Sequence, residues 1–155
     1  MAESGSNPSA ASGSVFTDAE IAYLREERLA RIATVGPDGQ PHVTPVTFHY
    51  NADEDSIDLG GIFFGQTKKW RDAGRNPKVT LLVDDVIGPP RRARAIEIRG
   101  TVERHESGGE RANPRFPNFV PQFFRLRPTR IVAWGIEDEQ TGTGQGFQLN
   151  ARSVR

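Results

Sequence analysis

One hydroxyl and two ammonium groups are adjacent in the stretch GQTKKWRDAG, as Thr67, Lys68 and Lys69. The following residues suit a short helix, so the triplet would stand at its amino-terminal end, where backbone N–H groups are free. Basic side chains there oppose the helix macrodipole, which favours acidic groups at this end. Because a bound anion would relieve that conflict, the triplet predicts a phosphate site. The alternative is a solvated helix start, with Lys68, Lys69 and Arg71 as its wet face.

The three histidines give no sign of a metal site. His42, His49 and His105 are scattered among predicted strands, without the spacing that metal ligands show. His42 and His49 are seven residues apart on one extended run, so their side chains would face opposite sides of a sheet. The chain also has no cysteine and no G-x-S-x-G sequence, so the usual covalent nucleophiles are missing. We therefore predict no metal ion and identify no catalytic residue.

Two acidic runs and one glycine-rich run have simpler interpretations than a catalytic one. The adjacent Asp84 and Asp85 would point to opposite faces of a strand, and residues 53–55 would form a hairpin turn, so both runs are interpreted as solvated turns. The run GTGQGF at residues 142–147 imitates a dinucleotide-binding fingerprint but opens no helix. It is expected to be a loop.

Length and composition set the frame for these residues. The chain of 155 residues is the size of one domain, and its twenty basic and twenty acidic side chains cancel, so no global field would attract nucleic acid or a membrane surface. No segment resembles a signal peptide or a membrane span, which favours a cytoplasmic protein. Residues 1–14 offer almost nothing apolar to bury, so we expect a disordered tail followed by a single domain over residues 15–155.

The hydrophobic pattern predicts a mainly β (α+β) protein. Thr17 can cap a first helix that ends near residue 28, and a second helix covers residues 67–74. Period-two alternation and turn residues predict strands, three of which form a meander in which Pro45 should be irregular or lie at an edge or a ligand. The predicted strands are 30–34, 42–51, 56–61, 76–86, 92–106 and 129–138.

Two further expectations concern the second half of the chain. The continuous apolar run after Asn76 and Pro77 suggests a strand buried on both faces. Residues 107–128 are rich in Gly, Pro, Asn and Phe, so a long connection with little regular structure is expected. Strands joined by short turns argue against a doubly wound sheet and favour a small β-barrel with two or three short helices.

The order of several motifs resembles a known family. LARIATVGPDGQPHVTPVTFHYN, IDLGG, TKKWRDAGRNPKVTLLVDD, AIEIRGTVE and RPTRIVAWGI follow one another as in the pyridoxamine 5′-phosphate oxidase-like superfamily. They are most similar to its flavin/deazaflavin oxidoreductase B group, which uses coenzyme F420. The resemblance extends from Phe16 to Ile136, and the ending NARSV also looks like that of small members. It implies an FMN-binding-like split β-barrel that forms a homodimer with two cofactor sites at the interface.

The resemblance also implies particular cofactor-binding residues. Thr67, Lys68 and Lys69 stand where the family has a Ser-Arg-Lys or Arg-Arg-Lys triplet that holds the cofactor phosphate. The middle arginine is missing here, so bidentate geometry is lost while phosphate binding is kept. Trp134 matches a tryptophan that lies near the ring from the other subunit. The segment whose backbone lies along the ring consists of Val43, Thr44, Pro45 and Val46.

The resemblance implies a reductase that transfers a hydride from reduced coenzyme F420 to a conjugated, enone-like or imine-like small molecule. No catalytic acid is assigned, since water or a side chain such as His49 can supply the proton. FMN is the alternative cofactor, and a flavin- or tetrapyrrole-binding module without turnover is the alternative class; FAD and haem also remain open. Residues 106–128 depart from the family pattern, and the arginines that bind substrate phosphate in true pyridoxamine phosphate oxidases have no clear counterpart, so that activity is not expected.

Overall fold

The structure, a computed structural model, describes residues 13–137 and 149–155. It contains three α-helices, a short 3-10 helix and seven strands. The helices are α1 (Asp18–Glu26), the 3-10 helix (Phe64–Gln66), α2 (Lys68–Arg75) and α3 (Gly109–Ala112). The strands are β1 (Leu29–Val35), β2 (Pro41–Asn51), β3 (Ser56–Gly60), β4 (Lys78–Ile87), β5 (Arg92–His105), β6 (Phe123–Trp134) and β7 (Leu149–Ser153).

All strand pairs are antiparallel, and six strands close into a barrel. The sheet order is β3-β2-β1-β4-β5-β6-β7, and β3 also pairs with β6 through Ile57 and Leu126. The amino-terminal half of β6 closes the barrel against β3, while its carboxy-terminal half pairs with β7. The fold is therefore a split β-barrel, as the resemblance implied, and β7 is an additional strand that was not predicted.

Alternation along the strands builds the core. Every second residue of β1 and of most of β4 is buried, for example Ile32 and Leu81, which face each other across the two strands. In β4 the intervening Leu82 is only partly buried, so the expectation that this strand is buried on both faces was wrong for the single chain. Leu82 lies on the outward face of β4, between Thr80 and Asp84.

Helix α1 begins where the sequence predicts it. Thr17 accepts a hydrogen bond from the backbone N–H of Glu20, and the Glu20 carboxylate accepts one from the Thr17 N–H, which is a capping box. The predicted meander is confirmed as β1, β2 and β3, with β2 paired to β1 from Pro41 to Thr47 in unbroken register.

The connection after β5 is shorter than expected. Helix α3 interrupts it, and β6 already begins at Phe123, so the expectation of irregular structure up to residue 128 was wrong. At the start of the domain, Ser14 donates a hydrogen bond to Asp55 at 2.6 Å, so the folded part includes this residue of the predicted tail. Residues 1–12 of that tail and the predicted 142–147 loop lie outside the described residues.

Within the described ranges, no helix has the length and apolarity to cross a membrane.

Candidate functional site

The predicted phosphate triplet lies at the start of α2. Thr67 is the N-cap residue, and its hydroxyl accepts a hydrogen bond from the backbone N–H of Trp70 at 3.3 Å. The same hydroxyl donates to the carbonyl of Phe64 at 2.7 Å. The Thr67 side chain is thus fully used in shaping the turn between the 3-10 helix and α2, and it would have to rotate to donate to a ligand.

Lys68 is paired within the protein. Its ammonium group lies 2.6 Å from a carboxylate oxygen of Asp72, whose side chain is only 3% exposed. It also lies against the turn between β1 and β2, because a Cβ atom on Gly36 would be 3.2 Å from the Lys68 Nζ atom. Lys68 therefore neutralises a buried carboxylate and ties α2 to this turn.

Lys69 has different surroundings. Its ammonium group lies 5.3 Å from the centre of the Phe64 ring, and the side chain is half-buried. Within residues 13–137 and 149–155 it has no carboxylate within ion-pair distance and no hydrogen-bond partner. Burial lowers the pKa of Lys69 from its usual value, since desolvation disfavours the charged form. An anion bound beside it would supply the missing counter-charge.

The predicted ring-binding segment lies in β2. Val43 is 60% exposed, Pro45 is exposed, and Val46 is buried in the core. Because pairing of β2 with β3 begins only at Thr47, β2 has a neighbour on one side alone at Pro45, which fits the expectation of an edge there. Thr44 faces inward, and its hydroxyl is buried without a partner in the described structure.

Trp134 lies elsewhere in the single chain. It is the last residue of β6, paired with Ala95 of β5 and Leu149 of β7, and it is partly exposed on the outer face of the sheet. In the sheet order, β6 is not a neighbour of β2. The expectation that Trp134 reaches the site of a second chain stays a prediction.

An aromatic cluster supports α2, and the sequence analysis did not identify it. Trp70 stacks on Phe124 with ring centres 5.5 Å apart, and Phe64 contacts both rings edge-on. The Arg104 guanidinium also lies over the Trp70 ring, 5.0 Å from its centre. These contacts hold Trp70, and with it the first turn of α2, in one orientation. A binding site at the helix start needs such support from packed side chains.

Of the two adjacent acids on β4, Asp85 is less solvated than predicted. Asp85 accepts two hydrogen bonds from Arg94, at 2.6 and 3.0 Å, and one from the Tyr23 hydroxyl at 2.9 Å. The hydrogen bonds from Arg94 hold the pKa of Asp85 below its usual value. Asp84 is exposed and pairs with Arg31. The two carboxylates do lie on opposite faces of a strand, as expected, but the expectation that both are solvated was wrong for Asp85, because its face of β4 lies under α1.

This barrel, with an open edge on β2 and a helix start beside it, has the architecture of the FMN-binding-like split-barrel proteins. The pyridoxamine 5′-phosphate oxidase family matches residues 16–139, which is most of the chain. The protein belongs to this family.

A curated relative and two solved structures are similar to the chain. The 5a,11a-dehydrotetracycline/5a,11a-dehydrooxytetracycline reductase of Streptomyces rimosus is 40% identical over 129 residues, which cover 82% of this chain and 89% of the relative. An FAD binding protein from Mycobacterium smegmatis is 20% identical with a TM-score of 0.56, covering 77% and 95% of the two chains. A heme binding protein from the same organism is 16% identical with a TM-score of 0.60, covering 96% of this chain and 60% of the other. At these identities the two structures establish the fold alone.

Proposed function

We propose that the protein is a cytoplasmic oxidoreductase that reduces a conjugated small molecule with a hydride from bound coenzyme F420, with FMN as the alternative cofactor. The structural observation that supports this most directly is Lys69, a half-buried ammonium group without a counter-charge in the described structure. The relative from Streptomyces rimosus, a reductase of dehydrotetracyclines, supports the reaction class and the conjugated substrate.

The residues at the α2 start fit a phosphate group. The first backbone N–H groups of a helix have no intrahelical acceptor, so those of Lys68 and Lys69 are available to an anion. Lys69 supplies the charge, while Lys68 supports the turn through Asp72. The missing middle arginine of the family triplet leaves this site with point charges rather than a bidentate fork.

The residues of β2 fit a flat apolar ring. Val43 and Pro45 are exposed on the outward side of a strand that has one open edge, so an aromatic ring system can lie along them. A reduced flavin or deazaflavin would supply the hydride there, and the protein would supply position and electrostatics. Trp134 of a second chain would then cover the ring, which requires the proposed homodimer. No described side chain is assigned as a catalytic acid.

Cofactor titration tests this proposal. Purified full-length protein is titrated with coenzyme F420, FMN, FAD and haem, and binding is followed by fluorescence or absorbance. The Lys69→Ala variant removes a charge-assisted hydrogen bond, of about 1.5–3 kcal/mol, so the Kd should rise roughly ten- to a hundredfold. Lys69→Arg should lose less, and Thr67→Ala less than tenfold, because its hydroxyl is already used in the turn.

Lys78→Ala provides the control for the loss of one lysine charge, since this exposed lysine begins β4 and is not part of the α2 start. It should bind the cofactor as tightly as the wild type. Wild-type affinity should fall as salt rises, with a flatter dependence in Lys69→Ala. If folded Lys69→Ala binds every cofactor as tightly as the wild type at low salt, the triplet is only a solvated helix start. Binding of haem alone would favour a tetrapyrrole-binding module instead of a reductase.

A further inference from the structure

A small pocket lies at the carboxy-terminal end of β2, the end farther from the α2 start. It has a volume of about 290 Å³ and an apolar wall formed by Leu24, Phe48 and Pro114. His49, which also lines it, is three residues beyond Val46, the last residue of the proposed ring segment, roughly 10 Å at the usual rise per residue. The pocket therefore lies beyond the end of the proposed ring segment, and none of the residues that line it belongs to that segment or to the α2 start.

The segment after α3 gives this pocket its first cation. The Arg115 guanidinium donates hydrogen bonds to the backbone carbonyls of Arg25 and Glu27, the latter at 3.3 Å, at the carboxy-terminal end of α1. Asn113 holds the segment in place by donating to the Phe48 carbonyl at 3.1 Å. This part of residues 106–128, the stretch that departs from the family pattern, thus packs against α1 and β2, and Arg115 lines the pocket.

Arg25 gives the pocket a second cation. Its guanidinium lies over the Tyr50 ring, 5.6 Å from the ring centre. In the part of the chain that the structure describes, neither Arg25 nor Arg115 has a carboxylate within ion-pair distance. Among the described residues, eight other arginines have an acid within ion-pair distance, as Arg94 has Asp85. Both side chains are exposed, so the pocket offers an anion two guanidinium groups, those of Arg25 and Arg115, that no described carboxylate occupies.

The third polar group at the pocket is the His49 ring, whose pKa depends on these two charges. Burial of the His49 ring lowers its pKa from the usual value, and the nearby Arg115 and Arg25 lower it further, against the opposing effect of Asp58 on β3. The neutral form of the ring, which can accept or donate a hydrogen bond, is therefore favoured. A negative charge in the pocket would reverse this balance and favour the protonated ring.

We propose that this pocket binds the anionic group of a small organic acid, with Arg25, Arg115 and His49 contacting the anion and the apolar wall contacting its body. Guanidinium groups recognise carboxylates by charge-assisted hydrogen bonds, and the volume accommodates an acid of about one aromatic ring. The site does not depend on the proposed cofactor, because none of its residues belongs to the α2 start or to the ring segment.

Nuclear magnetic resonance of the histidine rings tests the site in the full chain without any cofactor. Benzoate is the probe, and benzamide, which has the same shape without the charge, is its control. The His49 signals are identified by comparison with His49→Gln. Benzoate should shift them saturably and raise the pKa of His49, whereas benzamide should do neither.

Two charge-removing variants then locate the anion. Arg25→Gln and Arg115→Gln should each weaken benzoate binding roughly tenfold or more. Arg111→Gln changes the same charge on the same segment, at an exposed side chain paired with Glu110, and should bind as the wild type. Arg25→Gln decides the matter if Arg115→Gln fails to fold, because the Arg25 side chain donates no hydrogen bond to the described backbone. Equal shifts with benzoate and benzamide, or unchanged affinity in Arg25→Gln, would overturn the proposal.

Discussion

Lys68 and Lys69 have the same side chain but opposite electrostatic roles. Lys68 compensates the buried carboxylate of Asp72, whereas Lys69 is desolvated over Phe64 and has no counter-charge in the described structure. The four-residue spacing of Lys68 and Asp72 can be read from the sequence, whereas the burial of Lys69 over Phe64 depends on the fold. Their assignment depends on helix phase: Asp72 is four residues after Lys68 and therefore on the same helix face.

His49 should make stability depend on pH. Its pKa is lowered in the fold by burial and by Arg115 and Arg25, so the unfolded chain binds the proton more readily. The free energy of unfolding should therefore fall as the pH drops through about 6.5, the pKa of an unperturbed histidine, and go on falling down to the lowered folded-state value. In His49→Gln this part of the pH dependence should disappear.

Urea unfolding of both proteins at pH 7.5 and 5.5 measures this effect. At pH 7.5 the ring is neutral in both states, so the difference between the proteins there reports the packing cost of the substitution alone. Stability loss between the two pH values that is as large in His49→Gln as in the wild type would contradict the role of His49.

At the scale of elements, β7 is tied to α1 by one buried ion pair. The Glu20 carboxylate is fully buried and accepts hydrogen bonds from Arg152 at 2.6 and 2.9 Å, in addition to the capping-box bond from Thr17. Arg152 also donates to the carbonyl of Val15 at 2.8 Å. The last described strand therefore completes the amino terminus of the first helix.

Arg152→Ala should be strongly destabilising. It leaves the buried Glu20 charge without its partner, and breaking such a pair costs about 3 kcal/mol or more. Chemical unfolding measures the loss. Adding Glu20→Gln to Arg152→Ala should recover part of it, because glutamine can keep the capping-box hydrogen bond without a charge. If Arg152→Ala alone lowers stability by less than about 1 kcal/mol, the pair does not carry this role.

The elements were predictable where local signals fix them. The Thr17 capping box, the Thr67 N-cap and the alternation of β1, β2 and β5 depend on neighbouring residues, so the sequence predicts these elements within about two residues. The start of β6 at Phe123 was not predictable, since its aromatic and proline-rich surroundings show no clear period. Arg115 was missed for another reason: its hydrogen-bond partners are 88 and 90 residues away along the chain.

At the scale of the whole molecule, the outer face of the barrel carries apolar side chains that the single chain does not cover. Leu149 and Val86 are more than 60% exposed, and Trp134 lies beside Leu149 on the neighbouring strand. Large apolar side chains exposed beside one another, as Leu149 and Trp134 are, occur at protein interfaces. Their exposure agrees with the proposed homodimer, in which Trp134 reaches the site of the other chain.

Light scattering at micromolar concentration should therefore give about twice the chain mass of 17.1 kDa. Leu149→Glu places a charge on this face and should shift the equilibrium towards the monomer, with weaker cofactor binding, because the ring loses Trp134 of the second chain. A wild-type protein that stays monomeric throughout this concentration range, while binding cofactor, would eliminate the shared site.

The pairing of β3 with β6 also affects how the chain folds. The partners Asp58 and Arg125 are 67 residues apart and form a hydrogen-bonded ion pair at 2.9 and 3.1 Å, so this seam depends on a long-range encounter. Hairpins such as β1-β2 and β4-β5 can form earlier, since their partners are close in sequence. Until the seam forms, two strands expose unpaired backbone groups on which another chain can add, so dilution during refolding should improve the yield of native protein.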